Sequence, residues 1–330
     1  MKLLICSNVC LGVDCTEKLS VALSQKWRKE RANKFENLVD RAAMNNAEYI
    51  VLTGRLFGED RVPESVIDEL FSAVKEDEHI KVVSCLNKKE YRRIFYRNDV
   101  PDNMFLVCTE SGSESNEQSD EIRIDDNVTI RPGNSRIEML LMGNEPIVLN
   151  EDGNGIYRTT VNGDSIVVPC FEPVGFEDAV LNQFGYAVIE WSQDTIDDCQ
   201  VITNRKYNFE SAEVKILPAD TQGEIINKIN KEVAKRQYDT FLRITLSGKS
   251  PFGMILNSDA LAKKLSERMF FVEVYDNTIM DIDEADFEND ISLRSEFVRL
   301  ALHDDALSES ERNKIISCGW TALGGKEVSR

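Results

Sequence analysis

Apolar and polar positions in the amino-terminal part of the chain alternate between two periods. Lys2 to Cys6 is a short apolar run that stops at Ser7-Asn8, the pattern of a buried strand. Trp27, Phe35, Leu38, Val39, Ala42 and Ala43 then recur at helical spacing, and Asn45-Asn46 closes that helix. Tyr49 to Leu52 is a second apolar run, opened into a loop by Gly54. Pro63 suits the first turn of a helix that Val66, Leu70, Phe71 and Val74 continue, and Lys81 to Cys85 repeats the strand pattern. Strand, helix, strand, helix and strand with short connections predict a parallel sheet covered by helices. In such sheets functional residues gather at the carboxyl ends of the strands. Here those ends are Ser7 to Cys10, Thr53 to Arg55 and Leu86 to Lys88.

Beyond an exposed, serine- and glutamate-rich loop at Thr109 to Asp120, apolar alternation resumes at Asn127 to Ile130, Glu138 to Met142, Ser165 to Val168 and Tyr186 to Trp191. That pattern predicts a second, largely antiparallel sheet. From about Val201 the order becomes strand, helix (Gly223 to Arg236), strand (Phe241 to Leu246), helix (Ser258 to Arg268) and strand (Phe270 to Tyr275), a small α/β unit. The acidic stretch Asp281 to Asp290 leads into two helices, the second opened by a Ser308/Glu311 capping box and closed by Gly324-Gly325. The expected division is therefore residues 1–200, 201–276 and 277–330.

With 330 residues and 42% hydrophobic content the chain can bury a sizeable core. No apolar run reaches the roughly 18–20 residues of a membrane span, and Ser7-Asn8 interrupts the first one too early for a signal peptide. A cytoplasmic protein without membrane contact is the expectation. Eight cysteines without a Cys-x-x-Cys pair, and only two histidines, His79 and His303, speak for reduced thiols rather than disulfides or structural zinc. The net charge of −19 argues against a surface that wraps nucleic acid. Lys26-Arg28-Lys29-Arg31, Lys88-Lys89 with Arg92-Arg93, and Lys231 to Arg236 are local basic clusters, each read as a solvated helix face. Ser247-Gly248-Lys249-Ser250 lacks the earlier glycine of a phosphate-binding loop and is read as a turn.

Leu3-Leu4-Ile5-Cys6-Ser7-Asn8-Val9-Cys10-Leu11-Gly12, Phe35-x-x-Leu38-Val39-Asp40 and Tyr49 to Phe57 resemble the opening of SbcD-type DNA repair nucleases and their YhaO-like relatives. The likeness resumes at Pro169 to Glu177, Gly185 to Trp191, Leu242 to Gly248 and Glu288 to Phe297, in matching order. The resemblance implies an α/β calcineurin-like phosphoesterase: a four-layer sandwich of two sheets flanked by helices, with a small α/β capping domain and a helical carboxyl-terminal tail. It implies a homodimer, an SbcC-like coiled-coil ATPase as partner, and DNA as substrate. In the family two manganese or magnesium ions ionise a water and stabilise the leaving oxygen.

The site positions depart from that pattern. Where the family has Ser-Asp-x-His the chain has Asn8 and Cys10, and where it has Gly-Asp-Leu-Phe-Asp the chain has Arg55 and Gly58. Gly-Asn-His-Asp becomes Leu86-Asn87-Lys88-Lys89, the later histidine becomes Met142, and the Gly-His-x-His motif has no counterpart. Fixed cations at former metal positions repel divalent ions, so no metal cofactor and no functional catalytic residue are expected. The resulting expectation is a catalytically inactive subunit or scaffold for the ATPase, docking through its carboxyl-terminal segment. Arg55, Asn87, Lys88 and Lys89 would hold a phosphate or a DNA end, and Arg55 would fill the vacated metal space. The alternative is an active metal-dependent exonuclease with atypical ligands.

Overall fold

A computed structural model describes the chain apart from residues 59–61, 110–120, 134–135, 142–145, 152–155, 162–163, 177–182, 193–194, 204, 255, 284–286, 288–289, 305 and 324–330. It divides into two compact units, Met1–Lys206 and Tyr207–Arg330, both mixed α/β. In chain order the first unit runs β1 (Lys2–Ser7), α1 (Val21–Met44), β2 (Tyr49–Thr53), α2 (Glu64–Lys75), β3 (Lys81–Leu86), α3 (Lys88–Phe95) and β4 (Met104–Cys108). Strands β5 (Ile122–Arg123), β6 (Val128–Gly133), β7 (Arg136–Leu141), β8 (Ile147–Glu151), β9 (Tyr157–Val161) and β10 (Asp164–Val167) follow, then β11 (Gly185–Trp191) and β12 (Ile196–Thr203).

Two six-stranded sheets result, ordered β12-β11-β1-β2-β3-β4 and β10-β9-β8-β7-β6-β5. Strands β1 to β4 are mutually parallel, as the alternation with α1, α2 and α3 requires. The residues of β1, β2 and β3 are buried on both faces apart from Lys2 and Lys81, and β4 at the edge is partly buried. Leu4, Cys6, Ile50, Leu52 and Val82 pack with Phe35, Leu38, Ile67, Leu70 and Phe71 of α1 and α2, while Leu3, Ile5, Tyr49, Val51 and Val83 pack with Val128, Ile130, Ile137 and Met139 of the second sheet. Tyr186 to Trp191 does not join the second sheet, as alternation suggested, but pairs antiparallel to β1 as β11. Alternation shows that two faces differ, not which neighbour a strand takes. On β11, Tyr186 serves the helix-side core and Ala187, Ile189 and Trp191 the inter-sheet core.

The second unit contains β13 (Asn208–Ile216), α4 (Gln222–Val233), β14 (Thr240–Ser250), α5 (Ser258–Leu265), β15 (Phe271–Asp276), β16 (Ile279–Met280), α6 (Leu293–Leu302) and α7 (Glu309–Leu323). Its strands are parallel, and Thr221 with Glu224 forms a capping box at the start of α4. The expected boundary at 200 falls within β12. Residues 277–330 are not a separate tail: Ser250 pairs with Met280, and Phe252 sits in one aromatic cluster with Phe287 and Trp320. No helix among the described residues is long and apolar enough to cross a membrane.

Candidate functional site

The loops that leave β1, β2 and β3 lie together, as a parallel sheet dictates, and they carry all but one of the singled-out positions. After β1 the backbone turns through the left-handed region at Asn8 (φ 51°) and Cys10 (φ 48°), which costs a non-glycine residue on the order of 1–3 kcal/mol unless neighbours hold it. The holding groups are on the β2 loop. Amides of Asn8, Cys10 and Leu11 donate to the carbonyls of Thr53 (2.9 Å), Arg55 (3.1 Å) and Leu56 (2.8 Å), and the Arg55 amide donates back to Asn8 Oδ1 at 3.1 Å. Gly54, at φ 70°, leaves room for that side chain: a Cβ there would stand 2.4 Å from Asn8 Oδ1.

Arg31 of α1 secures the same loop from beneath. It is buried, and its guanidinium donates to the carbonyls of Val9 (2.7 Å), Glu172 (3.1 Å) and Pro173 (3.1 Å). Arg31 is therefore not part of a solvated basic face. Beside it, Lys34 pairs with the buried Glu172 carboxylate, and burial moves the Lys34 ammonium below its usual range. Cys10 is buried as well, with its thiol against the Arg55 carbonyl. Burial raises its pKa, against the pull of Arg31 and Arg55.

The β3 loop adds the group that sequence reasoning missed. Asn87 caps α3, its Oδ1 accepting from the amides of Lys89 (3.0 Å) and Glu90 (2.9 Å). Glu90, in the first turn, is turned inward and only 8% exposed. Its carboxyl accepts from the Phe57 amide at 2.8 Å and from Asn87 Nδ2 at 3.0 Å, fastening the β2 loop to α3. Burial pushes its pKa up to about 7, against the lowering effects of the Phe57 and Leu56 amides, Arg55 and Arg93. Asn87 followed three residues later by Glu90 is the capping-box spacing, the one sequence signal that pointed to it.

A cavity of about 540 Å³ opens at this junction, lined by Arg55, Phe57, Gly58, Asn87, Lys89, Glu90 and Arg93. Arg55 does not fill the space as expected. It is exposed, its side chain forms no hydrogen bond or ion pair among the described residues, and its tie to Asn8 runs through the backbone amide. Lys88 is exposed and does not line the cavity, whereas Arg93, not singled out, does. Gly58 has no space for a side chain, since a Cβ would fall 1.3 Å from Val13 Cγ2. Met142 lies outside the described residues.

No protein-family model matches this chain, and no curated protein matches it. The donor set has to be judged on its own chemistry. Among the described residues no group of three or more histidine, cysteine, aspartate or glutamate side chains is arranged to hold a metal ion. Among the described residues that line the cavity the one carboxyl group, Glu90, is already occupied by two N–H donors, and three cations line the cavity with it. These residues do not fit a pair of divalent cations, which need several oxygen or imidazole donors. They fit an anion.

Proposed function

We propose that this chain is a noncatalytic relative of the SbcD-type nucleases, a phosphoesterase-like sandwich serving as subunit or scaffold for an SbcC-like ATPase. Its strand-end pocket holds a phosphate-bearing ligand without metal chemistry. One observation carries the reading: the three loops that converge on metal ions in that family are here joined by the chain's own hydrogen bonds, Asn8 to Arg55 and Glu90 to Phe57. The pair of six-stranded sheets with α1 and α2 on the outer face of the first supports the sandwich. Ile291, Leu293 and Leu300 are 98%, 74% and 66% exposed, and Leu293 and Leu300 stand two helical turns apart on α6. Such an apolar stripe suits docking onto a coiled-coil surface.

Two measurements on the full chain test this. Calorimetric titration with manganese and a nuclease assay should show neither binding nor cleavage. Micromolar manganese binding together with cleavage abolished by Asn87→Ala would overturn the noncatalytic reading. Co-purification with the ATPase should be lost in Leu293→Arg/Leu300→Arg at an unchanged melting midpoint, and co-purification that survives the change would move the interface elsewhere.

A further inference from the structure

The basic cluster near the start of α1 serves more than one purpose. Arg28 forks onto Asp14 at 3.0 and 2.6 Å, and Arg31 is committed to backbone carbonyls. Lys29 instead borders a second cavity, of about 440 Å³, between α1 and α2. That volume is in the range of small-molecule sites. Its floor is apolar: Leu11, Phe35 and Leu70 are core residues that also line the cavity, and the partly buried Val66 stands with them. Its rim carries charge of both signs. Lys29 and Glu36 of α1 and Glu69 of α2 line it, and their side chains form no hydrogen bond or ion pair among the described residues. Lys29 precedes Glu36 by two helical turns, which sets them about 10 Å apart along the axis of α1. Each helix returns along a parallel sheet, so α1 and α2 run in the same direction. Ser65 of α2 therefore stands toward the Lys29 end, and Glu69, one turn further on, toward the Glu36 end. The cavity thus has a cationic end, an apolar floor and an anionic end.

The geometry points to a short apolar peptide with free termini as the ligand of this cavity, its carboxylate on Lys29, its ammonium on Glu36 and Glu69, and its side chains on the floor between them. Charge complementarity selects the class. A fatty carboxylate would meet Lys29 but set its tail against two acids, and an apolar amine would meet the acids but cover Lys29 without a counter-charge. A phosphate-bearing ligand would be repelled by both glutamates. A free amino acid carries its two charges on one carbon and cannot reach both ends. Two or three extended residues span roughly 7–10 Å, which matches the separation of the charged ends. Aliphatic side chains on the floor add affinity in proportion to the apolar area removed from water, so a peptide of glycine alone would bind weakly. This cavity shares no lining residue with the strand-end pocket, so its ligand is independent of the noncatalytic reading.

Calorimetric titrations of the full chain at pH 7 test the assignment. The probes are leucyl-leucine, its carboxyl amide, its acetylated form, glycyl-glycine, free leucine, and a helical peptide with blocked ends and an apolar face. Leucyl-leucine should bind about tenfold or more tightly than the other dipeptides and free leucine. Lys29→Gln should weaken leucyl-leucine and its acetylated form about tenfold while leaving the amide unchanged. Glu36→Gln/Glu69→Gln should do the reverse, weakening leucyl-leucine and the amide while leaving the acetylated form unchanged. None of the three residues is buried, so both variants should keep the wild-type melting midpoint. The proposal fails if leucyl-leucine does not bind, if glycyl-glycine or free leucine binds as tightly, if blocking either terminus has no effect, or if both variants leave the affinity for leucyl-leucine unchanged. Tighter binding of the helical peptide than of leucyl-leucine would also overturn it, making the cleft a docking groove for a partner helix.

Discussion

At the scale of single residues, Glu90 is where position and protonation are most tightly linked. A carboxyl whose pKa is about 7 in the folded chain, against an unfolded value near 4.5, binds its proton more tightly when folded. Its contribution to stability is therefore greatest below the unfolded value, falls as pH rises between the two values, and levels off above the folded one. The total loss is on the order of 3 kcal/mol. Urea unfolding between pH 5 and pH 8 should show this decline in the wild type and little of it in Glu90→Gln, which has no proton to lose. Equal slopes for the two proteins would remove Glu90 from the account. Asp125 does not confuse the measurement: despite burial, Lys81 and Tyr49 hold it down to about 2, so it is ionised throughout that window.

At the scale of elements, the loops after β1 and β2 interlock through volume as well as hydrogen bonds. With Val13 Cγ2 1.3 Å from the place a Gly58 Cβ would take, Gly58→Ala should cost roughly 1–3 kcal/mol, the usual penalty for overpacking. Val13→Ala removes the atom that would stand closest and leaves only its Cβ, at 2.7 Å, so the double variant should be less damaged than the two single losses added together. Strictly additive midpoint shifts in thermal melts would show that the loops do not share this volume. The same elements mark what could be read from the chain alone. Strands β1, β2 and β3 and helices α1 and α2 were legible because apolar runs and helical stripes follow directly from burial on a covered parallel sheet. The partner of β11 was not legible, because residues buried on both faces look alike in either sheet. Of the site, the loop positions Asn8, Arg55 and Asn87 were found from strand ends, but Glu90 was hidden in a Lys-Lys-Glu-Tyr-Arg-Arg string that reads as a solvated face. Arg31 was misread for the same reason, since a charge pattern does not reveal which cation finds carbonyls to bond.

At the scale of the whole molecule, each unit has its own core, and the carboxyl-terminal helices belong to the second. Phe252 lies 4.5 Å from Trp320 and 4.9 Å from Phe287, ring centroid to centroid. Removing all residues after Asn277 should thus lower the melting transition of the second unit while leaving that of the first in place. An unchanged pair of transitions would mean that the aromatic cluster adds no stability. The placement of β1 between β2 and β11 has a consequence for synthesis. Met1 and Trp191 meet across a sequence separation of 190. At roughly 5–20 residues per second, about 10–40 s pass on the ribosome before the strand that covers that edge has been made. Until then Leu3, Leu4 and Ile5 belong to a nascent sheet with one side open to pairing with another chain. Slow translation or crowded polysomes would prolong that exposure, so the yield of native protein depends on how soon the distant strand arrives.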